Sequence, residues 1–310
     1  MNHVDRKSIR HAVRDAIISH ALGDVISPKS GEILFDDPPG ECHIKFGRRV
    51  GDPNFIVKVV TGFYDNPKIC QPVSSGAVMV FSALTGLFDS IIFDEGWLTS
   101  WRTAAAGSLA SRAMARQESR TIAIVGAGQQ AELQAVWHAD VFPDAEFIIG
   151  ARNQHKAADL ARRLSLQGLN ARAEHTIKDA VALADVIVTT TPATSPLFSW
   201  GDVRPGTHVT AIGADSHGKQ ELDPGLIARA SHIATDDHAQ CLDHSEFGFA
   251  VREGLVAEDR DIALGHVLAG NIDRGANDIT IADLTGLAAE DIAMASFFLE
   301  AINRSASPRK

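Results

Sequence analysis

The spacing of hydrophobic positions changes along the chain. In residues 4–22, Ile9, Val13, Ile17 and Ile18 recur at helical spacing among charges, which predicts an amphipathic helix. Residues 27–40 are rich in Pro, Gly and Asp and read as loop. Short β-type runs follow at 42–46, 54–61, 77–82 and 89–94, with Gly51-Asp52-Pro53 and Thr85-Gly86 as turns. They predict a mostly antiparallel region. The most apolar stretch, Ala77 to Phe93, is broken by Thr85-Gly86 and Asp89, so it reads as two buried strands joined by a turn and not as a membrane span. Residues 98–116 read as a helix with an Ala-rich interior, and Thr99 or Ser100 as its N-cap. Residues 117–120 read as a link.

Beyond the link, β-branched runs alternate with helical spacing. Strands are expected at 121–125, 146–150, 185–191, 207–213, 230–236 and 279–283, with helices at 156–166 and 176–184 among them. Such alternation implies a parallel sheet whose strand C-termini carry ligands. Thr191 and residues 213–219 then share an edge with the turn after Val125. A last helix, 288–304, is apolar on one side and is expected to pack back onto the first region. The fold class is α/β: a Rossmann-type dinucleotide-binding domain (118–287) and an α/β substrate-binding and dimerisation domain (1–117 with 288–310).

Totals narrow the function classes. A chain of 310 residues with 45% hydrophobic and 22% charged residues has room for two domains and ordinary cores. Its formal net charge of −10 argues against nucleic acid as a partner. Cys42, Cys70 and Cys241 show neither paired nor metal spacing, which suits a reducing cytoplasm. The polar, charged N-terminus carries no secretory pattern.

The strand Thr121–Val125 runs into Gly126-Ala127-Gly128-Gln129-Gln130-Ala131, and the turn opens a helix. The first Gly permits the tight turn, the second admits a pyrophosphate, and the third small residue lets the helix lie close to the strand. The helix N-terminus supplies amides and positive dipole to the phosphates. At the end of the next strand stands Arg152, followed by Asn153 and Gln154, where an NAD-binding chain would carry a carboxylate for the ribose hydroxyls. A guanidinium suits a 2′-phosphate. The cofactor expected is NAD(P), with NADP(H) favoured over NAD(H); an Arg stacked on adenine is the competing role.

Three cations stand in apolar surroundings: Lys58 after Phe-Ile-Val, Arg102 near the start of an Ala-rich helix, and Lys45 in His-Ile-Lys-Phe. A cation near a helix N-terminus opposes the dipole and calls for an anion. Either a substrate carboxylate, gripped in a bidentate fork, or an internal Asp or Glu would serve. Asp215 lies just past a strand on the cofactor edge. Partial burial would bring it into a useful acid/base range, while a turn Asp bonding its own backbone is the plainer role. The segment Asp236 to His244 collects metal-type ligands, yet its spacing matches no metal site; it reads as a solvated helix start, and no metal is expected.

From about residue 42 to 300 the chain resembles the ornithine cyclodeaminase/μ-crystallin family. The resemblance rests on Leu98-Thr-Ser-Trp-Arg-Thr103-Ala-Ala-Ala, Gly126-Ala-Gly-Gln-Gln-Ala131, Arg204-Pro-Gly-Thr-His-Val-Thr-Ala-Ile-Gly-Ala-Asp215 and Gly218-Lys-Gln-Glu-Leu-Asp223. It implies a homodimer, with a first domain completed by the C-terminal helix. It implies that Arg102 and Lys58, joined by Lys45, bind a substrate α-carboxylate. Thr103, Gln129 and Gln130 fall on cofactor phosphate contacts, and Thr191, Gly213 and Lys219 along the nicotinamide side. Arg152 replaces the Asp of NAD-using cyclodeaminases. Asp215 falls on the catalytic Asp of cyclodeaminases and alanine dehydrogenases.

Three activities follow from the resemblance. The first is a cyclodeaminase acting on a basic amino acid: hydride leaves Cα, the distal amine closes onto the imine, ammonia departs and hydride returns. The second is a net oxidoreductase, either an amino-acid dehydrogenase or a cyclic ketimine (pyrroline-2-carboxylate) reductase. The third is a non-catalytic crystallin-type NADP- or ligand-binding protein, against which Asp215, Arg102 and Lys58 count. No acidic residue in the β region is apparent to hold a distal ammonium, which weighs against ornithine. The partners expected are a small amino or imino acid and a second copy of the chain, with no membrane and a cytoplasmic location.

Overall fold

The computed structural model describes residues 5–270 and 272–306, the last four of these by backbone alone. Two compact units emerge: residues 1–102 with 287–310, and residues 103–286.

In the first unit, helix α1 (Arg6–Ala21) buries Ile9, Val13 and Ile17, the face its spacing predicts. The Asp5 carboxylate caps it by accepting from the Ser8 amide at 3.2 Å. Six antiparallel strands follow: β1 (Val25–Ile26), β2 (Gly31–Asp36), β3 (Pro39–Arg49), β4 (Asn54–Phe63), β5 (Ser74–Ser82) and β6 (Phe88–Phe93). The main order is β1-β3-β4-β5-β6, and β2 pairs with β3.

The β2–β3 hairpin corrects the loop expected over 27–40. Gly31 to Asp36 contains Ile33, Leu34 and Phe35, which suit a strand, and Asp37-Pro38 makes the tight turn. Gly31 opens that strand, and the Pro residues lie outside it. A second correction concerns β6. Its residues Phe88, Ile91 and Phe93 are exposed, Phe93 by 76%, so the strand is not buried within this unit.

Helix α2 (Trp97–Met114) starts one residue before the expected position. Neither Thr99 nor Ser100 caps it; the Asp94 carboxylate accepts from the Leu98 amide at 2.6 Å. The units divide between Arg102 and Thr103, inside α2 and not at the 117–120 link. The reason is packing. The second part of α2 is Ala-rich, with Ala104, Ala105, Ala106 and Ala110 buried, and belongs to the second unit.

The second unit is a parallel sheet. Its strands are β7 (Thr121–Val125), β8 (Glu146–Gly150), β9 (Asn170–Ala173), β10 (Val186–Thr189), β12 (His208–Ala211), β14 (His232–Thr235), β15 (Ile262–Ala263) and β16 (Thr280–Asp283). A two-stranded ribbon pairs β11 (Thr194–Phe198) with β13 (Gln220–Leu222). The main order is β9-β8-β7-β10-β12-β16-β14-β15, all parallel. The chain runs outward one way from β7 and then returns past it to β10. Ligands sit at such a topological switch. The crossovers include α3 (Gln129–Ala139), α4 (Gln154–Leu166), α5 (Ile177–Leu183), α6 (Pro224–Arg229), α7 (His238–His244), α8 (Glu246–Arg252) and α9 (Leu264–Ala269). The central strands β7, β8, β10, β12 and β16 are buried almost throughout, as β-branched strands covered on both faces should be.

A buried polar chain ties α2 and α3 to the sheet. His138 bonds Ser111 at 2.8 Å, Ser111 bonds Thr210 at 2.7 Å, and Thr210 bonds His208 at 2.8 Å. His208 in turn reaches Thr280 at 2.8 Å. Burial, above all, depresses both imidazoles, His138 to about 4 and His208 to about 3, so both are neutral near pH 7. The final helix, α10 (Ala288–Ala306), returns to the first unit and packs on α1, β3 and β4. Among the described residues, no helix is long and apolar enough to cross a membrane.

Candidate active site

Functional side chains collect in two groups, one in each unit. In the first unit, Lys45 and Lys58 are direct cross-strand partners on β3 and β4. Side chains alternate along a strand, so this register sends both amines to one face. Both are buried, as is Arg102 on α2. Like charges at such spacing need anions, and α10 supplies two. Lys58 Nζ lies 2.7 Å from Asp291 Oδ2. Arg102 Nη1 lies 3.1 Å from Glu290 Oε2, and its Nε 3.5 Å from Asp291 Oδ1. Thr99, expected as a cap, instead accepts from Lys58 at 3.3 Å. The internal partner and the substrate carboxylate, posed as alternatives for Arg102, are therefore not exclusive. Three cations face two carboxylates.

The electrostatics follow from burial. Desolvation, opposed by Asp291 and reinforced by Arg102 and Lys45, pulls the Lys58 amine down to about 8. For Asp291, burial pushes up, but Lys58, then Arg102 and Lys45, outweigh it and hold the carboxyl below its ordinary value.

The same sheet face also carries acids, which corrects the expectation that the β region has none to offer. Glu41, His43 and Lys45 alternate along β3, and Glu32 pairs with His43 in register. His43 Nε2 lies 3.5 Å from Glu41 Oε2, and its Nδ1 lies 4.0 Å from Glu32 Oε1.

In the second unit, β7 ends in the Gly-rich turn. Gly126 has φ +130°, and a Cβ there would strike the Thr190 hydroxyl. Its own fold demands glycine. Gly128 differs: its φ of −88° is open to any residue, and a Cβ would meet nothing within 4 Å. The chain itself gives no reason for glycine there. A ligand lying against the backbone does, so the turn fits a pyrophosphate. Ala131, fully buried in the first turn of α3, lets the helix sit close to β7. Ala127 and Gln130 are partly exposed, and Gly128 and Gln129 are open to solvent. Arg152 is exposed at the end of β8, and Asn153 caps α4 by accepting from the Lys156 amide at 3.1 Å. The Thr103 carbonyl accepts from Gln134 at 3.0 Å.

Thr191 and Gly213 lie two residues past the ends of the neighbouring strands β10 and β12, and both are held by a residue that spacing did not single out. Glu221 on β13 is fully buried and accepts from Thr189 Oγ1 (2.6 Å), Thr191 N (2.6 Å), Thr191 Oγ1 (2.7 Å) and Gly213 N (2.8 Å). Burial pushes its carboxyl up, and these four donors pull it back. A Cβ on Gly213 would come within 2.6 Å of that carboxylate. Glu246 continues the support by accepting from the amides of Glu221 and Leu222 at 2.7 and 3.1 Å. Asp283 accepts from Ser245 Oγ at 2.5 Å and from the Phe247 amide at 2.9 Å, and desolvation lifts it to about 7.

Asp215 does not meet the burial expected of it. Its side chain is 49% exposed, and Lys219 Nζ pairs with it at 2.8 Å. The loop after β12 turns it outward, while Ala214 and Ser216 on either side are buried. The segment 236–244 is not one solvated helix start either. Asp236 turns into the core and accepts from the amides of Thr285 (2.9 Å) and Gly286 (2.6 Å). Asp237 caps α7, and His238 pairs with Asp261 at 2.9 Å.

Glu290 and Asp291 escaped sequence reading because acids in a first helical turn are ordinary dipole partners. Glu221 left one trace, an acid beside Leu222 inside the Gly218–Asp223 motif.

Known proteins bear out this architecture. An uncharacterized cyclodeaminase of Sinorhizobium fredii is 40% identical over 276 residues, 87% of this chain and 83% of that one. An archaeal alanine dehydrogenase, solved as a dimer with bound NAD, superposes with a TM-score of 0.89 at 29% identity, covering 98% of this chain and 94% of that one. The iminosuccinate reductase of Paracoccus denitrificans, solved with NAD+, gives 0.86 at 29% identity over 97% and 93%. The family model described as ornithine cyclodeaminase/mu-crystallin matches residues 6–306, and the chain belongs to that family.

Proposed function

We propose that the protein is an NAD(P)-dependent oxidoreductase that interconverts a small α-amino acid with its imino or oxo acid. The observation that carries this is the charge of the buried cluster: Lys45, Lys58 and Arg102 against Glu290 and Asp291. Buried cations drawn together in this way suit a substrate α-carboxylate. Arg102 offers a planar fork and Lys58 a point charge, a pairing suited to carboxylate recognition. The alanine dehydrogenase and iminosuccinate reductase relatives, both solved with NAD, support a net redox reaction.

A dinucleotide bound at the turn 126–130 would supply or accept a hydride. The protein's own residues do the rest. Lys58 and Arg102, helped by Lys45, bind the carboxylate and orient the α-carbon. Asp215 moves a proton to or from the substrate nitrogen and exchanges it with water through its open side, while Lys219 fixes its rotamer. Glu221 keeps Thr191 and Gly213 in place on the cofactor edge. Arg152, exposed where a ribose carboxylate would stand, favours NADP(H) over NAD(H). The apolar residues left open on β2 and β6, among them Phe35 and Phe93, suit a second copy of the chain.

A second reading, cyclodeamination, draws on Glu32 and Glu41, which share the sheet face of the two lysines and offer carboxylates to a distal ammonium. One assay separates the two. Purified protein is given NADPH or NADH with pyrroline-2-carboxylate, or with pyruvate and ammonia, while reduced-nicotinamide absorbance is followed. In parallel, ornithine and lysine are supplied with the oxidised cofactors and ammonia is measured. Consumption of NADPH in preference to NADH, with no ammonia from the diamines, is expected. Ammonia released from a diamine without accumulation of reduced cofactor would overturn the proposal in favour of cyclodeamination.

A further inference from the structure

His217 lies in the loop after β12, between Asp215 and Lys219. Asp243 and His244 close the C-terminal end of α7. Spacing along the chain hides the relation, because 26 residues separate the first from the second. The fold brings them together. His217 Nε2 is 3.3 Å from Asp243 Oδ2, and His244 Nδ1 is 3.5 Å from the same oxygen. The two imidazole rings stand 5.1 Å apart, centre to centre. All three donor atoms lie within 4.8 Å of one another.

These distances discriminate between roles. A charge-assisted hydrogen bond between imidazole and carboxylate closes to about 2.7–2.9 Å. Both contacts here are longer. A tetrahedral zinc ion with bonds of about 2.0–2.2 Å sets its ligand atoms about 3.3–3.5 Å apart. The two measured edges match that figure, and they share one oxygen as a corner. The third edge lies within 4.8 Å, and the His217 side chain is half-exposed. The donor set is chemically selective as well. Two imidazoles and one carboxylate suit Zn2+, Co2+ or Ni2+, whereas Mg2+ and Ca2+ seek oxygen.

We propose that His217, Asp243 and His244 form a divalent transition-metal site of the zinc class that clasps the loop 214–219 to the end of α7. Three protein ligands leave one position for water. The clasp bears on function through its neighbours. Asp215 stands two residues before His217 and Lys219 two residues after it, so a bound ion fixes the segment that carries their ion pair.

The test uses untagged, metal-free full-length protein titrated with Co2+, with binding read from the visible absorption that cobalt gains in a tetrahedral site. One equivalent is expected to bind, and Zn2+ to displace it. His217→Ala and His244→Ala should each weaken binding roughly tenfold or more, on the scale that disturbing a metal site brings. His155→Ala, at an exposed histidine on α4, should leave binding unchanged. Hydrogen–deuterium exchange should show residues 214–219 gaining protection when metal is added. No saturable binding, binding indifferent to His217 and His244, or binding without protection of the loop would each overturn the proposal. None of these readouts depends on turnover, so they stand or fall apart from the oxidoreductase assignment.

Discussion

The two units bury charge in opposite ways. In the first, Lys45, Lys58 and Arg102 are balanced by side chains of the other sign, Glu290 and Asp291 on α10. In the second, Glu221, Glu246, Asp236 and Asp283 are balanced chiefly by backbone amides and hydroxyls. The first arrangement gathers full charges of both signs, with cations side by side on one face where an anion can be received. The second spends its carboxylates on loop ends and is structural support for the cofactor edge. Glu246 shows the contrast: desolvation, with Asp283 beside it, pushes its carboxyl well above the ordinary range, whereas Asp291 is held below it.

The sharpest way to break this comparison is Asp291→Ala. The variant leaves three buried cations with one carboxylate of the pair, Glu290. Removing one partner of a buried ion pair costs about 3–5 kcal/mol. Denaturant unfolding should show a loss of that order. A loss below about 1 kcal/mol, the scale of an exposed pair, would mean that water screens the cluster.

Glu221→Gln probes the other side and should cost less. The amide oxygen can still accept from Thr191. Its NH2 group must then face the Gly213 amide, donor against donor, at a site where the carboxylate accepted at 2.8 Å. An unmet buried donor costs about 1–3 kcal/mol. Because Thr191 and Gly213 lie just past the ends of adjacent strands, dinucleotide affinity, read by titration, should fall along with stability. Stability lost with affinity intact would separate Glu221 from the cofactor edge.

How far the sequence carries these features differs between the units for the same physical reason. Helical and strand periods placed six of the eight strands of the parallel sheet, because buried β-branched runs such as Thr121–Val125 and Val186–Thr189 are constrained on both faces, whereas the outermost strands β9 and β15 went unread. Edge elements were harder. The β2 strand hid among Pro and Gly because it pairs on one side alone, and Asp94 displaced Thr99 as cap because a cap needs reach and not a fixed offset. Lys58 and Arg102 stood out as cations among apolar neighbours. Their partners did not, since Glu290 and Asp291 meet them across 188 residues and more of chain. Asp215 was placed on the right edge, but its exposure depends on which way a loop residue turns, and no local pattern sets that. Glu221 answers to amides, which every residue carries, so no residue type marks its site.

The smallest effect is also the most specific to function. Burial first, with Arg102 and Lys45, brings the Lys58 amine down to about 8, against the pull of Asp291. Below that pH the amine is charged and attracts a substrate carboxylate. Above it the charge is lost, and Arg102 binds with less help. The KM of an anionic substrate should therefore rise through a single ionisation near pH 8, with kcat moving less, because the grip serves binding before chemistry. Lys58→Arg sharpens the point. A guanidinium stays charged across the working range, so the rise should vanish even if the altered shape raises KM throughout. If the rise persists in Lys58→Arg, the titrating group lies elsewhere. If it vanishes, the paired charges of the first unit are what the substrate reads.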